Sequence, residues 1–245
     1  MQIITCDSKA DLGQRAAEHG ATFIRNAIAQ RGAASIIVAT GVSQFEMLSE
    51  LVLLPDINWR AVTAFHLDEY VGLPITHPAS FRKYLLERFI ARLPAPLAAF
   101  HAINAEDNPA RECHRLNSLI RPHAIDMAFV GIGENGHLAF NDPPADFDTQ
   151  LPYIVVNLDA ACKQQQLGEG WFAAIDDVPA QAISMSISHI LKSKNIVACV
   201  PDRRKAVAVQ ACVQGPVSPQ APASILQRHA ATTLFLDRES ASLLL

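Results

Sequence analysis

The chain has 245 residues, half of them hydrophobic, and a net charge of −4, enough to bury a substantial core in one large α/β domain or two small ones. Slight acidity gives no basic field for nucleic acid and no polybasic membrane patch, and no apolar run approaches the ~20 residues of a membrane helix. Met1 to Arg15 lack the basic stretch and apolar core of a signal peptide, and the five cysteines (Cys6, Cys113, Cys162, Cys199, Cys212) are scattered without a C-x-x-C, as expected of reduced thiols in a cytoplasmic protein without a metal site or disulfide framework.

Gln2 to Thr5 reads as a short strand, and Asp7 or Ser8 can cap the helix that follows to Arg31, with Gly32 as its stop. Ser35 to Ala39 is β-branched and apolar, a buried strand. Thr40 to Ser43 is a turn, and Gln44 to Leu54 the next helix. Val62 to Leu67 is a third strand, ending in Asp68-Glu69-Tyr70. Ser80 suits the cap of a helix to Arg92, Leu97 to Ile103 a strand, and Pro109 to Ile120 a helix with proline in its first turn. Asp126 to Val130 is a strand and so is Tyr153 to Asn157. Lys163 to Trp171 (KQQQLGEGW) is polar and glycine-bearing, and reads as a loop or mobile segment. Ala182 to Ile187 is an apolar run, with a short helix near Ile190-Leu191. Asn195 to Val200 is a strand, Arg203 to Val213 a helix, and Thr232 to Leu236 the last strand. Strands alternating with helices, with no repeat or linker, predict one α/β domain over residues 1–245, in three α/β/α layers around a mostly parallel sheet.

In such a sheet the carboxyl ends of the strands share one edge, where ligands bind. Four junctions there carry chemistry. Phe129 to Pro143 (FVGIGENGHLAFNDP) runs from a strand into Gly131, Gly133 and Gly136, among Glu134, Asn135, His137, Asn141 and Asp142. An imidazole flanked by carboxylate and amide groups is a kit for proton transfer. Thr40 to Ser43 can cradle a phosphate: Gly41 frees the backbone, Thr40 and Ser43 offer hydroxyls, and the next helix offers unpaired N–H groups. Ser43 also suits an ordinary N-cap. Asp68 and Glu69 end an apolar strand, and one of them can serve as a base in a dry pocket. Arg203, Arg204 and Lys205 open a helix, where cations are unfavourable. A bound anion resolves that conflict, and a solvated basic cluster is the plain alternative.

Together these motifs resemble the glucosamine-6-phosphate deaminase (isomerase) family over nearly the whole chain. The markers are Ala39-Thr40-Gly41, the string from Leu67 to Leu73 (LDEYVGL), His77 to Ser80, Gly131 to Pro143, and Arg204-Lys205-Ala206. The related 6-phosphogluconolactonases tend to carry Arg after the Asp-Glu pair and continue the glycine loop as G-H-T-A-S-L-F, unlike Tyr70 and Leu138 to Asn141 here. The resemblance implies a Rossmann-like sugar-phosphate isomerase fold with no metal or other cofactor. Its substrate is a small sugar phosphate, with no nucleic-acid or membrane partner, and a homo-oligomer is compatible with it. It also implies the conversion of glucosamine 6-phosphate and water to fructose 6-phosphate and ammonia. His137 then opens the ring, supported by Asn135 and Asp142, and Asp68 moves the proton between C2 and C1. Thr40, Gly41, Val42, Ser43 and Lys205 hold the phosphate, and Gly131 brings backbone close to the sugar.

The chain departs from that pattern in several places. Asn135 stands where the family has Asp, and Asp142 where it has Glu. An amide holds the histidine ring by its carbonyl without charge, and such a change can cost about 10⁴ in rate. Slow ring opening or a pocket adapted to another sugar is therefore expected. No arginine lies between Arg121 and Arg203, so the family's lid arginine is missing. Arg203, Arg204 or Lys163 can substitute, and Gly168 to Trp171 can build a different lid. Val42 replaces a second glycine, and a long C-terminal extension of the kind found in allosterically regulated members is lacking.

Overall fold

Helix boundaries fall where caps and glycines put them. In the computed structural model, which describes residues 1–245, β1 (Gln2–Cys6) leads into α1 (Lys9–Arg31). The Ser8 side chain accepts from the Asp11 N–H, and Gly32 closes the helix at φ 77° by donating to the Ile28 carbonyl, a left-handed stop that glycine adopts without strain. In chain order there follow β2 (Ala34–Val38), α2 (Phe45–Leu51), β3 (Val62–His66), β4 (Asp68–Tyr70), α3 (Phe81–Arg88), β5 (Ala99–His101), α4 (Pro109–Ile120), β6 (Met127–Val130), β7 (Tyr153–Asn157), α5 (Ala160–Gly168), β8 (Gln181–Met185), α6 (Ile187–Ile190), β9 (Ile196–Val200), α7 (Ala206–Gln214) and β10 (Thr232–Asp237). No helix is long and apolar enough to cross a membrane.

Seven strands form one sheet in the order β1-β10-β9-β6-β2-β3-β5, and every pairing in it is parallel. Alternate residues of one strand enter opposite cores. Ile36 and Val38 join Phe129, Val197 and the inner face of α1 on one side. Ile37 joins Val130, Ala198 and α4 on the other. Burial of both faces explains the continuous apolar runs of these strands.

Two expectations are corrected here. Asp68–Tyr70 does not extend β3. The chain turns at Leu67, and β4 pairs antiparallel with β8 in a separate sheet of order β4-β8-β7. A small aromatic core of Tyr70, Phe81, Phe140 and Phe172 lies against it. Second, Lys163–Trp171 is not all loop. Its first residues lie on α5, which Asp159 caps through its carboxylate to the Cys162 N–H at 2.6 Å. Three successive glutamines carry no periodic apolar signal, although glutamine is a good helix former.

The Asp-Glu pair divides its roles in the fold. Glu69 is buried and accepts from the Tyr70 N–H (2.9 Å), the Ser80 hydroxyl (3.0 Å), the Phe81 N–H (3.2 Å) and the Arg82 N–H (2.7 Å). It therefore pins the start of α3 to β4. Glu69→Ala strands these donors and is expected to cost on the order of 2–3 kcal/mol in denaturant unfolding. A loss below ~0.5 kcal/mol, the level of an ordinary surface substitution, would contradict this anchoring role.

Candidate active site

Four neighbouring strands, β9, β6, β2 and β3, end at one cleft of about 620 Å³, counting its open mouth. The loops leaving them bring Arg204 and Lys205, Gly131, Gly133 and His137, Ala39–Ser43 and Leu67–Asp68 to its walls. The sequence therefore spaces the site far apart along the chain, and parallel pairing gathers it at one rim.

The turn after β2 bends at Gly41, with φ 94° and ψ 168°, a region that essentially only glycine populates. Val42–Gln44 then makes a single 3₁₀ turn. The backbone N–H groups of Gly41, Val42 and Ser43 donate to no protein acceptor. Ser43 does not cap a helix: α2 begins without a side-chain cap bond. Instead its hydroxyl accepts from Gln44 Nε2 at 3.0 Å. Fully buried Gln44 also donates to the Val130 carbonyl at 3.3 Å, tying the turn to the end of β6. A Cβ on Gly131 would come within 3.1 Å of the Ser43 hydroxyl and 3.3 Å of Gln44 Nε2, so a side chain there would have to push these groups back by a few tenths of an ångström.

Across the cleft, Asp202 takes φ 86°, unusual for a non-glycine residue. Its N–H donates to the Asp237 carboxylate oxygens at 3.1 and 3.3 Å, and its own carboxylate pairs with Lys9. These contacts hold the strained turn that delivers Lys205. Lys205 is 4 % exposed and lines the cleft. Its backbone N–H donates to the Asp202 carbonyl at 3.0 Å, while its ammonium makes no hydrogen bond or ion pair to any protein group. Burial pushes its ammonium down to about 8, and the Glu169 and Glu134 carboxylates oppose that fall only in part.

Asp68 stands at the start of β4, 6 % exposed and without a hydrogen bond. Burial pushes its carboxyl up to about 8, with the neighbouring Glu69 charge adding to the rise. It thus holds a proton at neutral pH until a cation approaches.

His137 closes the site from the glycine loop. Its ring lies over Gly133, where a Cβ would sit 2.3 Å from Nε2. Nδ1 is 3.0 Å from Asp142 Oδ1, though that oxygen lies off the ring N–H axis. Burial would raise the Asp142 carboxyl, but His137, Asn135 and the Asp159 N–H together hold it below its ordinary value. Asn135 makes no hydrogen bond to the imidazole, contrary to expectation. Its carbonyl accepts from the His137 backbone N–H at 3.1 Å, while its amide bridges Asp142 (3.0 Å) and Asp159 (3.1 Å). An amide here relieves two converging carboxylates, where a third carboxylate would add repulsion. Asn141 is structural: it donates to the carbonyls of Leu138 (2.7 Å) and Met185 (2.8 Å), fastening the loop to β8.

The sequence reading missed the wall built by α5. Gln165 receives the Glu134 N–H at 2.8 Å, Gln166 receives the Tyr70 hydroxyl at 2.6 Å, and both line the cleft together with Glu169. Trp171 donates to Glu169 at 3.2 Å. Of the three cations left open as phosphate partners, Arg204 lines the cleft and Lys163 does not, while Arg203 is exposed and 3.6 Å from Glu239. A metal has one conceivable seat, where His137, Asp142 and Cys162 bring donor atoms within 4.8 Å of one another. Burial, reinforced by Asp142 and Asp159, pushes the Cys162 thiol well up, so a thiolate ligand is disfavoured.

The family described as glucosamine-6-phosphate isomerases/6-phosphogluconolactonase matches residues 7–235, and the chain belongs to it. A glucosamine-6-phosphate deaminase from Streptococcus pneumoniae is 36% identical over 244 residues, covering all of both chains. Among solved structures, a monomeric glucosamine-6-phosphate deaminase superposes with a TM-score of 0.91 at 31% identity, over 99% of this chain and 100% of that one. A 6-phosphogluconolactonase from Trypanosoma brucei shares the fold at TM-score 0.79 and 16% identity, over 100% and 98% of the two chains.

The protonated Asp68 bears on stability. An unfolded aspartate loses its proton near ~3.9, whereas folded Asp68 keeps it to about 8. The folded state binds more protons across that window, so its stability falls as pH rises through it. Asp68→Asn removes this penalty and is expected to melt above the wild type at pH 8.5, with the gap closing towards pH 4. Equal melting temperatures at pH 8.5 would show that the carboxyl is well solvated.

Proposed function

We propose that this enzyme converts glucosamine 6-phosphate and water to fructose 6-phosphate and ammonia. One observation carries the reading: a buried amine without a partner, a proton-holding carboxyl and an imidazole line the same cleft. The glucosamine-6-phosphate deaminase relatives support the substrate and the reaction.

In this reading the phosphate sits between Lys205 and the free N–H groups of Gly41, Val42 and Ser43. That distant binding positions the reacting carbons. His137 gives a proton to the ring oxygen and takes one from the C1 hydroxyl, opening the pyranose. Its Asp142 contact supports the imidazolium between these steps. The substrate's C2 ammonium then meets Asp68 and favours its ionised form. Asp68 takes the C2 proton and returns it to C1, leaving an imine at C2. Water adds to that carbon, and the C–N bond breaks to release ammonia and the ketose. No step needs a cofactor. We read all 245 residues as one domain of this kind. Five buried free cysteines fit a reducing compartment, and we place the enzyme in the cytoplasm.

Ammonia release from a panel of amino-sugar 6-phosphates tests the reading. Release from glucosamine 6-phosphate, with no hydrolysis of 6-phosphogluconolactone, is expected; the reverse pattern would overturn it. The pH profile of kcat/KM gives a second check. In the free enzyme Asp68 must lose its proton and Lys205 must keep its own, both near 8. The profile should therefore peak close to pH 8 and fall on both sides. Lys205→Gln should weaken KM by at least ~10-fold, the loss of one charge-assisted contact, and should remove the Lys205 contribution to the alkaline limb. A profile flat from pH 6.5 to 9 would contradict these assignments.

A further inference from the structure

Arg204 sits at the mouth of the cleft beside Lys205, and its side chain makes no hydrogen bond to the protein. Its guanidinium lies among three carboxylates, 3.4 Å from Glu134, 3.8 Å from Glu169 and 4.0 Å from Asp202. All three separations exceed the ~2.7–2.9 Å of a charge-assisted hydrogen bond. Other arginines here do engage fully: Arg115 reaches Glu112 at 2.8 Å with Nε and reaches the Ala102 carbonyl at 2.9 Å. The Arg204 donors are attracted to a cage of acids yet bonded to none of them. The cage is itself anchored, because Glu169 accepts from Gln165 (2.9 Å) and Trp171 (3.2 Å), and its side chain is only 6 % exposed.

We propose that Arg204 is a second cation for the substrate's phosphate, held ready by Glu134 and Glu169, which occupy its field until the phosphate arrives. This rests on the proposed sugar-phosphate reading and adds to it a residue and a sequence of events. A dianion entering between Lys205 and the Gly41–Ser43 amides reaches the guanidinium, whose planar fork matches two phosphate oxygens. Arg204 then exchanges long contacts with carboxylates for short ones with phosphate. Glu169 is a competitor for both cations as well as a tether, since its charge also acts on Lys205. The arrangement disfavours ligands that lack a full dianion, because a weaker anion cannot displace two carboxylates.

Calorimetric titration with inorganic phosphate reads this without relying on turnover. Arg204→Gln should raise the dissociation constant about tenfold or more. Arg204→Lys should recover only part of that loss, since it restores charge without the fork. Glu169→Gln should tighten phosphate binding, an effect that a purely structural Glu169 would not give. Arg204→Gln within twofold of the wild type, or Glu169→Gln that weakens binding, would overturn the proposal. Failure of the deaminase reading would appear separately, as phosphate binding that depends on Arg204 without ammonia release by the wild type.

Discussion

An ammonium group buried without a protein partner is costly, and Lys205 is such a group. Much of the architecture near it exists to hold it there. Asp202 accepts an unfavourable backbone angle to deliver it, and Asp237 and Lys9 brace that turn. Burial lowers the affinity of the amine for its proton, so an anion that enters the cleft binds a cation that little water screens. The cost in the empty protein is the source of selectivity in the occupied one.

Asp68 mirrors this on the opposite charge. Its carboxyl is buried without a donor and keeps its proton, while adjacent Glu69 takes the hydrogen-bonding duty that fixes β4 to α3. Separating these roles leaves one acid for the fold and one for chemistry. A substrate carrying an ammonium near one end and a phosphate at the other relieves both buried groups at once. That double match gives a physical reason for an amino-sugar phosphate over a neutral sugar phosphate.

The parts of the site that follow strand ends were readable from the sequence. Thr40 to Ser43 and Asp68 come directly after an apolar run, Lys205 and His137 follow the ends of β9 and β6 by five and seven residues, and parallel strands put such loops on one rim. The α5 wall was not readable, because Gln164, Gln165 and Gln166 show no apolar period and glycines follow them. The second sheet was hidden for another reason. β4 and β8 are more than a hundred residues apart, and nothing local in Asp68-Glu69-Tyr70 marks the antiparallel partner. Asn135 shows how a correct motif can mislead about contact. Its place beside His137 suggested a ring-holding amide, whereas the fold turns its carbonyl to the backbone and its amide to two acids.

The central claim is that one cleft holds the phosphate at Lys205 while Asp68 and His137 face the reacting carbons. A crystal structure with 2-amino-2-deoxyglucitol 6-phosphate, an open-chain analogue that cannot turn over, tests it most directly. The account predicts phosphate oxygens within hydrogen-bond reach of Lys205 Nζ and the Gly41–Ser43 amides, with Asp68 beside C1 and C2 and His137 beside the C5 hydroxyl. A phosphate bound elsewhere, or an analogue whose carbons lie away from Asp68, would contradict it.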